Sequence, residues 1–306
     1  MKQILRWFIL GGTLFFLGKA LKDHWVEVTA IRIEPVGWAI IAIAIGVTLL
    51  AHIWAGWVWT WIFRELNQPI NSSEFIQVYL KTNIAKYVPG NVWHYYGRII
   101  AAKHANVSAG LATLIVLLEP LLMAAAALVI VLLSSQFTAQ NINLTGKIAE
   151  LFGLLGVLAI VHPRFLNPVI RLLYRLKTKQ LSSTTSSNSV IVGLERYPLK
   201  PLLGELGFVG LRSAGFILTL FALSPLNLSE IPLLLGSFSF AWLLGLVVPA
   251  APGGFGVFEA TEIAALQHHF PAAVVISATV LYRLVSILAE TLGASLAWLD
   301  EHLMNR

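Results

Sequence analysis

Pro249-Ala250-Ala251-Pro252-Gly253-Gly254-Phe255-Gly256-Val257-Phe258-Glu259 interrupts one of the most apolar parts of the chain. Leu233 to Val248 before it is almost wholly hydrophobic, and helix-like Phe258 to His268 follows. The two prolines remove backbone donors, and Gly253 and Gly254 permit backbone angles other residues avoid. Inside a membrane such a break survives only where protein or water satisfies the freed backbone groups. A helix beginning near Gly254 would aim its first free N–H groups and the positive end of its dipole into that space. That end suits a phosphate or carboxylate. The plainer alternative is a kinked span that holds no ligand.

The composition around this break defines the class. Of 306 residues, 57% are hydrophobic and 12% charged, with a mean hydropathy of +0.77. Soluble domains carry roughly 25% charged residues, so the expected fold is an all-α polytopic membrane protein. The net charge of +6 points to cytoplasmic loops and anionic lipid, with no nucleic acid as partner. The absence of cysteine excludes disulfides, thiolate metal sites and cysteine nucleophiles. No cofactor is expected, and adjacent His268 and His269 face apart on a helix, so no metal site is read there.

In chain order, Lys2 and Arg6 precede the apolar run Trp7 to Leu17 without a cleavage site, which predicts an uncleaved first span with a cytoplasmic N-terminus. Val36 to Phe63 is a second span, ending in Trp54, Trp57, Trp59 and Trp61 as an interfacial aromatic belt. Phe75 to Ala105 carries Lys81, Asn83, Lys86, His94, Arg98 and Lys103 and breaks at Pro89-Gly90-Asn91. Its arms of about 14 residues suit a re-entrant helix pair. Leu111 to Leu133 crosses with Glu119-Pro120 inside it, and Leu144 to Val161 returns. Arg164, Arg171, Arg175 and Lys179 then line one side of an amphipathic helix expected to lie on an anionic lipid surface. Ser182 to Ser189 is a flexible cytoplasmic linker within 181–200, dividing a single membrane domain into halves 1–180 and 201–306.

The second half repeats the plan. Leu202 to Leu223 crosses, Leu233 to His268 is broken, and Ala272 to Trp298 is the last span, containing Arg283 and Glu290. From Pro89 to Glu119 is 30 positions, and from Pro252 to Arg283 is 31. About six full spans plus two Pro-Gly-broken re-entrant elements in an inverted repeat are therefore expected, although Leu233–Val248 is also long enough to cross. Broken helices at corresponding positions mark a transport site near the midplane. Glu119 and Arg283, each costing roughly 2.5–3.5 kcal/mol at a helix centre, should face the interior. They pair there with each other, or Arg283 pairs with Glu259. Lys86, Arg98 and His94 either join the site or snorkel to the interface.

Tyr87-Val88-Pro89-Gly90 with Arg98, Pro252-Gly253-Gly254-Phe255-Gly256-Val257-Phe258-Glu259-Ala260 and Arg283 resemble the flippase-like membrane domain family. This family includes the transmembrane region of lysylphosphatidylglycerol synthases (multiple peptide resistance factors). The resemblance covers nearly the whole chain, though Asn91-Val92-Trp93 is bulkier than the family's glycine-rich form. It implies a bacterial inner-membrane protein that moves an anionic or aminoacylated phospholipid, or a polyprenyl-linked lipid, between leaflets. The synthases' soluble aminoacyltransferase domain has no counterpart here, so the chain is not expected to be an enzyme. Partners are that lipid and either a second copy of the chain or a synthase. The candidate residues for holding the lipid are those of the resembling motifs, Pro89, Gly90, Arg98, Pro252, Gly253, Gly254, Gly256, Glu259 and Arg283, together with the intramembrane charges Lys86 and Glu119. The competing classes are a membrane-embedded lipid-modifying enzyme and an accessory subunit of an envelope assembly complex. The chain shows no G-x-S-x-G, no H-E-x-x-H and no basic–His–Asp phosphatase pattern.

Overall fold

The structure is a computed structural model that describes residues 19, 22–88, 92–138, 144–168, 194–248 and 252–304. The expected first span Trp7–Leu17, Pro89-Gly90-Asn91, Pro249 to Ala251, Arg171, Arg175, Lys179 and the linker Ser182–Ser189 lie outside the described residues. The described chain is helical: α1 (Trp25–Ala30), α2 (Pro35–Glu65), α3 (Ser72–Asn83), α4 (Trp93–His104), α5 (Ala109–Thr138), α6 (Leu144–Ile160), α7 (Leu199–Phe221), α8 (Ile231–Val247), α9 (Val257–Leu266) and α10 (Ala272–Met304). Short 3-10 turns, Ile84–Tyr87 and Pro252–Gly254, stand between the arms of each broken element.

Local chemistry sets these boundaries. Pro35 opens α2 at a position where its missing N–H costs nothing. Asn71 caps α3 by accepting from the Ser73 N–H at 3.1 Å. At α9 the Glu259 carboxylate accepts from the Gly256 N–H at 2.6 Å, which leaves Gly256 in a left-handed conformation at φ 87°. Pro120 sits inside α5 and removes the bond to the Val116 carbonyl.

Among the described residues, five helices are long and apolar enough to cross a membrane: Pro35–Glu65, Ala109–Phe137, Leu199–Phe221, Leu228–Val247 and Ala272–Leu303. The difference from the expected six has two sources. The first apolar run lies outside the described residues, and α6 is 17 residues, about 26 Å against a hydrocarbon core of about 30 Å. Conversely, Leu228–Val247 reaches spanning length, because the polar turn at Leu228–Glu230 continues directly into α8.

The packing of the two halves is closed under exchange. Let α2, α3, α4 and α5 trade places with α7, α8, α9 and α10. The first arm of each broken element packs on the last helix of the other half, α3 on α10 and α8 on α5. Each second arm packs on its own last helix, α4 on α5 and α9 on α10. At the centre α2 packs against α7, and the two 3-10 turns touch. Trp54 Nε1 donates to the Gly204 carbonyl at 2.8 Å, while Gly37, farther toward the start of α2, lies against the Ala222 carbonyl. The equivalent helices α2 and α7 therefore run antiparallel. Gly204 permits this closeness, since a Cβ there would come within 2.6 Å of Val58.

The aromatic belt expected at the end of α2 needs correction. Trp59 is fully buried among Phe63, Phe75 and Tyr79, and Trp61 is buried as well. Trp57 is half exposed, and Trp54, Trp57 and Trp61 contact one another edge to face. Positions 54, 57 and 61 share a helical stripe, whereas 59 turns to the opposite side.

Candidate functional site

A cavity of about 220 Å³ lies where the two broken elements meet. Its walls come from α2, α3, α4, α5, α7, α8, α9, α10 and both 3-10 turns. Lys86, Arg98, Arg212 and Arg283 line it, as do Glu119 and Glu290, with Met123, Phe208, Trp242 and Leu246 forming an apolar side.

Three ion pairs hold the charged groups. Arg283 Nε donates to Glu259 Oε1 at 2.6 Å, its Nη2 also contacts that oxygen, and Nη1 donates to the Gly253 carbonyl at 3.0 Å. The flat guanidinium is flanked by Phe255 and Phe258, with ring centroids at 5.4 and 5.6 Å. Arg98 Nη1 donates to Glu119 Oε2 at 2.7 Å, and both side chains are buried. The Arg98 guanidinium stacks 3.7 Å from the Tyr79 ring centroid. Lys86 Nζ donates to Glu290 Oε1 at 2.6 Å, linking the first 3-10 turn to α10 across 204 positions.

A fourth group surrounds His52. Its Nε2 lies 3.2 Å from Glu290 Oε1 and 3.2 Å from Arg212 Nη1, and its Nδ1 lies 3.3 Å from Asn83 Nδ2. A neutral ring carries one proton, so Nε2 either donates to Glu290 or accepts from Arg212, never both. Arg212 is buried, and its Nε has no hydrogen-bond partner among the described residues. Tyr282 positions this stretch by donating its hydroxyl to the Arg212 carbonyl at 2.9 Å.

Among the residues expected from sequence, Lys86, Arg98, Glu119, Gly253, Gly254 and Arg283 line this one cavity. Glu259 stands behind Arg283, Gly256 supplies the N–H that Glu259 accepts, and Pro252 belongs to the adjoining turn. Pro89 and Gly90 lie outside the described residues. Arg98 and His94 are buried, so neither snorkels to an interface; the Tyr79 ring and Glu119 hold Arg98 inward. Glu119 and Arg283 do not pair with each other, because each finds its partner within its own half. The anion at the start of α9 is supplied by the chain itself, as Glu259.

The sequence motifs single out neither Arg212 nor His52, and they place Glu290 only within the last span. A signal existed. His52 is the only ionisable residue between Val36 and Phe63, and Arg212 shares the span Leu202 to Leu223 only with Glu205, a placement that marks function in membrane helices.

No protein-family model matches the chain, and no curated protein matches it.

Proposed function

We propose that the protein is a membrane lipid translocase that holds the head group in the central cavity while the acyl chains stay in the bilayer. The observation that carries this is the cavity itself: a charged site, lined by the 3-10 turns of both broken elements, inside a body of apolar helices. Unsatisfied backbone and buried charge are tolerated at membrane depth where they line such a space. The antiparallel, exchangeable halves fit an inverted repeat in which the arms α3–α4 and α8–α9 enter from opposite faces and carry the site between them. Resemblance to the flippase-like membrane domain family points the same way, toward an anionic or polyprenyl-linked lipid in a bacterial inner membrane.

In this mechanism the phosphate, once in the cavity, competes with a carboxylate for each of the two paired arginines. Arg283 leaves Glu259, or Arg98 leaves Glu119, as the anion enters, and the pair closes again after release. Charge-assisted bonds of similar strength make that exchange nearly balanced. Exposed Arg164 belongs to a basic face that meets the anionic cytoplasmic leaflet.

The test is reconstitution of the purified protein into phosphatidylcholine vesicles containing fluorescent phosphatidylglycerol. A membrane-impermeant quencher should reach nearly all the label, rather than the outer-leaflet share alone. Protection equal to that of protein-free vesicles would overturn the proposal.

Topology gives a second expected result. A cysteine at Glu74 should react with an impermeant reagent from the cytoplasmic side and one at exposed Leu228 from the outside, against a cysteine-free background. Reaction of both from the same side would exclude the inverted arrangement.

A further inference from the structure

The cavity's ionic groups do not balance. Four cations line it among the described residues: Lys86, Arg98, Arg212 and Arg283. Three carboxylates answer them, since Glu290, Glu119 and Glu259 pair with Lys86, Arg98 and Arg283 respectively. Arg212 has no carboxylate within 4.0 Å among the described residues. The undescribed residues at the two breaks, Pro89-Gly90-Asn91 and Pro249-Ala250-Ala251, bear no charge. Glu205 is buried without a hydrogen-bond partner and outside the lining. It is counted as neutral, since an unpaired carboxylate in an apolar interior costs far more than a carboxylic acid. Four against three leaves one positive charge, and it sits on Arg212.

Arg212 is built to stay unpaired. It is about nine-tenths buried, its Nε is unsatisfied, and its Nη1 meets only the ring nitrogen that Glu290 also claims. The Tyr282 ring centroid, 5.3 Å away, supports the guanidinium without neutralising it. A buried cation without a counter-ion is costly, and an anion entering the cavity removes that cost.

We infer that Arg212 is the residue that receives the substrate's phosphate, and that the substrate is a lipid whose head group carries a single net negative charge, on its phosphodiester. This rests on the translocase proposal above and narrows it. Size agrees with charge. About 220 Å³ falls below the roughly 300 Å³ at which pockets for drug-sized ligands begin, so it takes a phosphate with a few further atoms and no large glycan. A phosphomonoester brings nearly two charges at neutral pH, one more than the cavity offers. A zwitterionic head brings an ammonium group that the surplus cation repels.

The experiment uses the purified full-length chain in nanodiscs of equimolar phosphatidylglycerol, phosphatidylethanolamine and phosphatidic acid, with retained lipids counted by native mass spectrometry. The native protein should retain phosphatidylglycerol over phosphatidylethanolamine by about tenfold or more, the scale of one charged hydrogen bond. Arg212→Gln should bring the two within about twofold of each other, and Arg212→Lys should keep part of the preference because it keeps the charge and loses the fork. Glu290→Gln raises the surplus to two charges and should move the preference to phosphatidic acid. That variant decides the matter if Arg212→Gln does not fold. Full preference in Arg212→Gln, an unchanged order in Glu290→Gln, or displacement of the lipid by excess inorganic phosphate would each overturn the assignment. Preference without movement of labelled lipid in vesicles would instead overturn translocation and leave Arg212 in place.

Discussion

Glu119→Gln is expected to cost about 3–5 kcal/mol of stability, the largest loss from any single polar substitution here, because it leaves Arg98 buried and charged with no counter-ion. The Arg98–Glu119 contact is almost fully enclosed, with side chains 3% and 2% exposed, so solvent screening gives little relief. What remains for Arg98 is a 3.3 Å contact with Thr82 Oγ1 and the rings of Tyr79 and Trp59, none of which carries charge. The double variant Arg98→Met/Glu119→Leu should recover most of the loss, since removing both ions avoids the desolvation of either. Thermal melts of the purified protein in one detergent provide the check. A further arm separates partners: Glu119→Gln and Arg283→Gln share no contact, so their losses should add within about 0.5 kcal/mol. Rescue on exchanging Glu119 with Arg283 would contradict the pairing described above.

The second large effect is at Gly254. A Cβ there would stand 2.9 Å from the Gly245 carbonyl oxygen and 3.0 Å from its Cα, and the residue sits at φ +71°. Alanine therefore suffers the left-handed penalty of about 1–2 kcal/mol and must also push the turn away from α8 at a cost of about 1–3 kcal/mol. Gly253 has a similar φ of +65°, but its Cβ would meet the Tyr87 ring at 3.1 Å, and a side chain can yield where backbone cannot. Gly253→Ala should accordingly lose only about 1–2 kcal/mol. Gly245→Ala, with its nearest neighbour at 3.6 Å, should be near neutral, with up to about 1 kcal/mol of helix propensity in its favour. The order Gly254, Gly253, Gly245 in melting temperature and in lipid movement is the expected result. Equal tolerance at all three would mean that the close approach of turn and helix is not needed.

Proline and glycine made the breaks readable in advance, since they limit the backbone wherever the chain runs. The cost of burying Glu119, Arg98 and Arg283 was readable for a similar reason: it belongs to the residue and its apolar flanks. Partnership was readable only as one of two alternatives for Arg283, whose partner Glu259 lies 24 positions away. Lys86 meets Glu290 across 204 positions and Arg212 meets His52 across 160, and only the packing of α2 on α7 and of the first 3-10 turn on α10 brings them together. The tryptophans of α2 show a different limit. Their number suggested an interface, but their spacing divides them between the edge-to-face stripe of Trp54, Trp57 and Trp61 and the core around Trp59.

The packing of α3 on α10 also bears on how the protein is made. Gln77 donates to Asp300 at 2.6 Å and Lys81 to Glu301 at 2.8 Å, across 223 and 220 positions. At a synthesis rate of 5–20 residues per second, α3 waits roughly 10–45 s for these partners to leave the ribosome. Through that interval the first broken arm, with Lys81 and Lys86, stands at the membrane without the helix that neutralises it. α8 has no such delay, because α5 precedes it. Biogenesis is therefore asymmetric where the finished architecture is not. A stop codon that removes α10 should turn the remaining chain into a substrate for membrane proteolysis, with α3 as the segment first exposed.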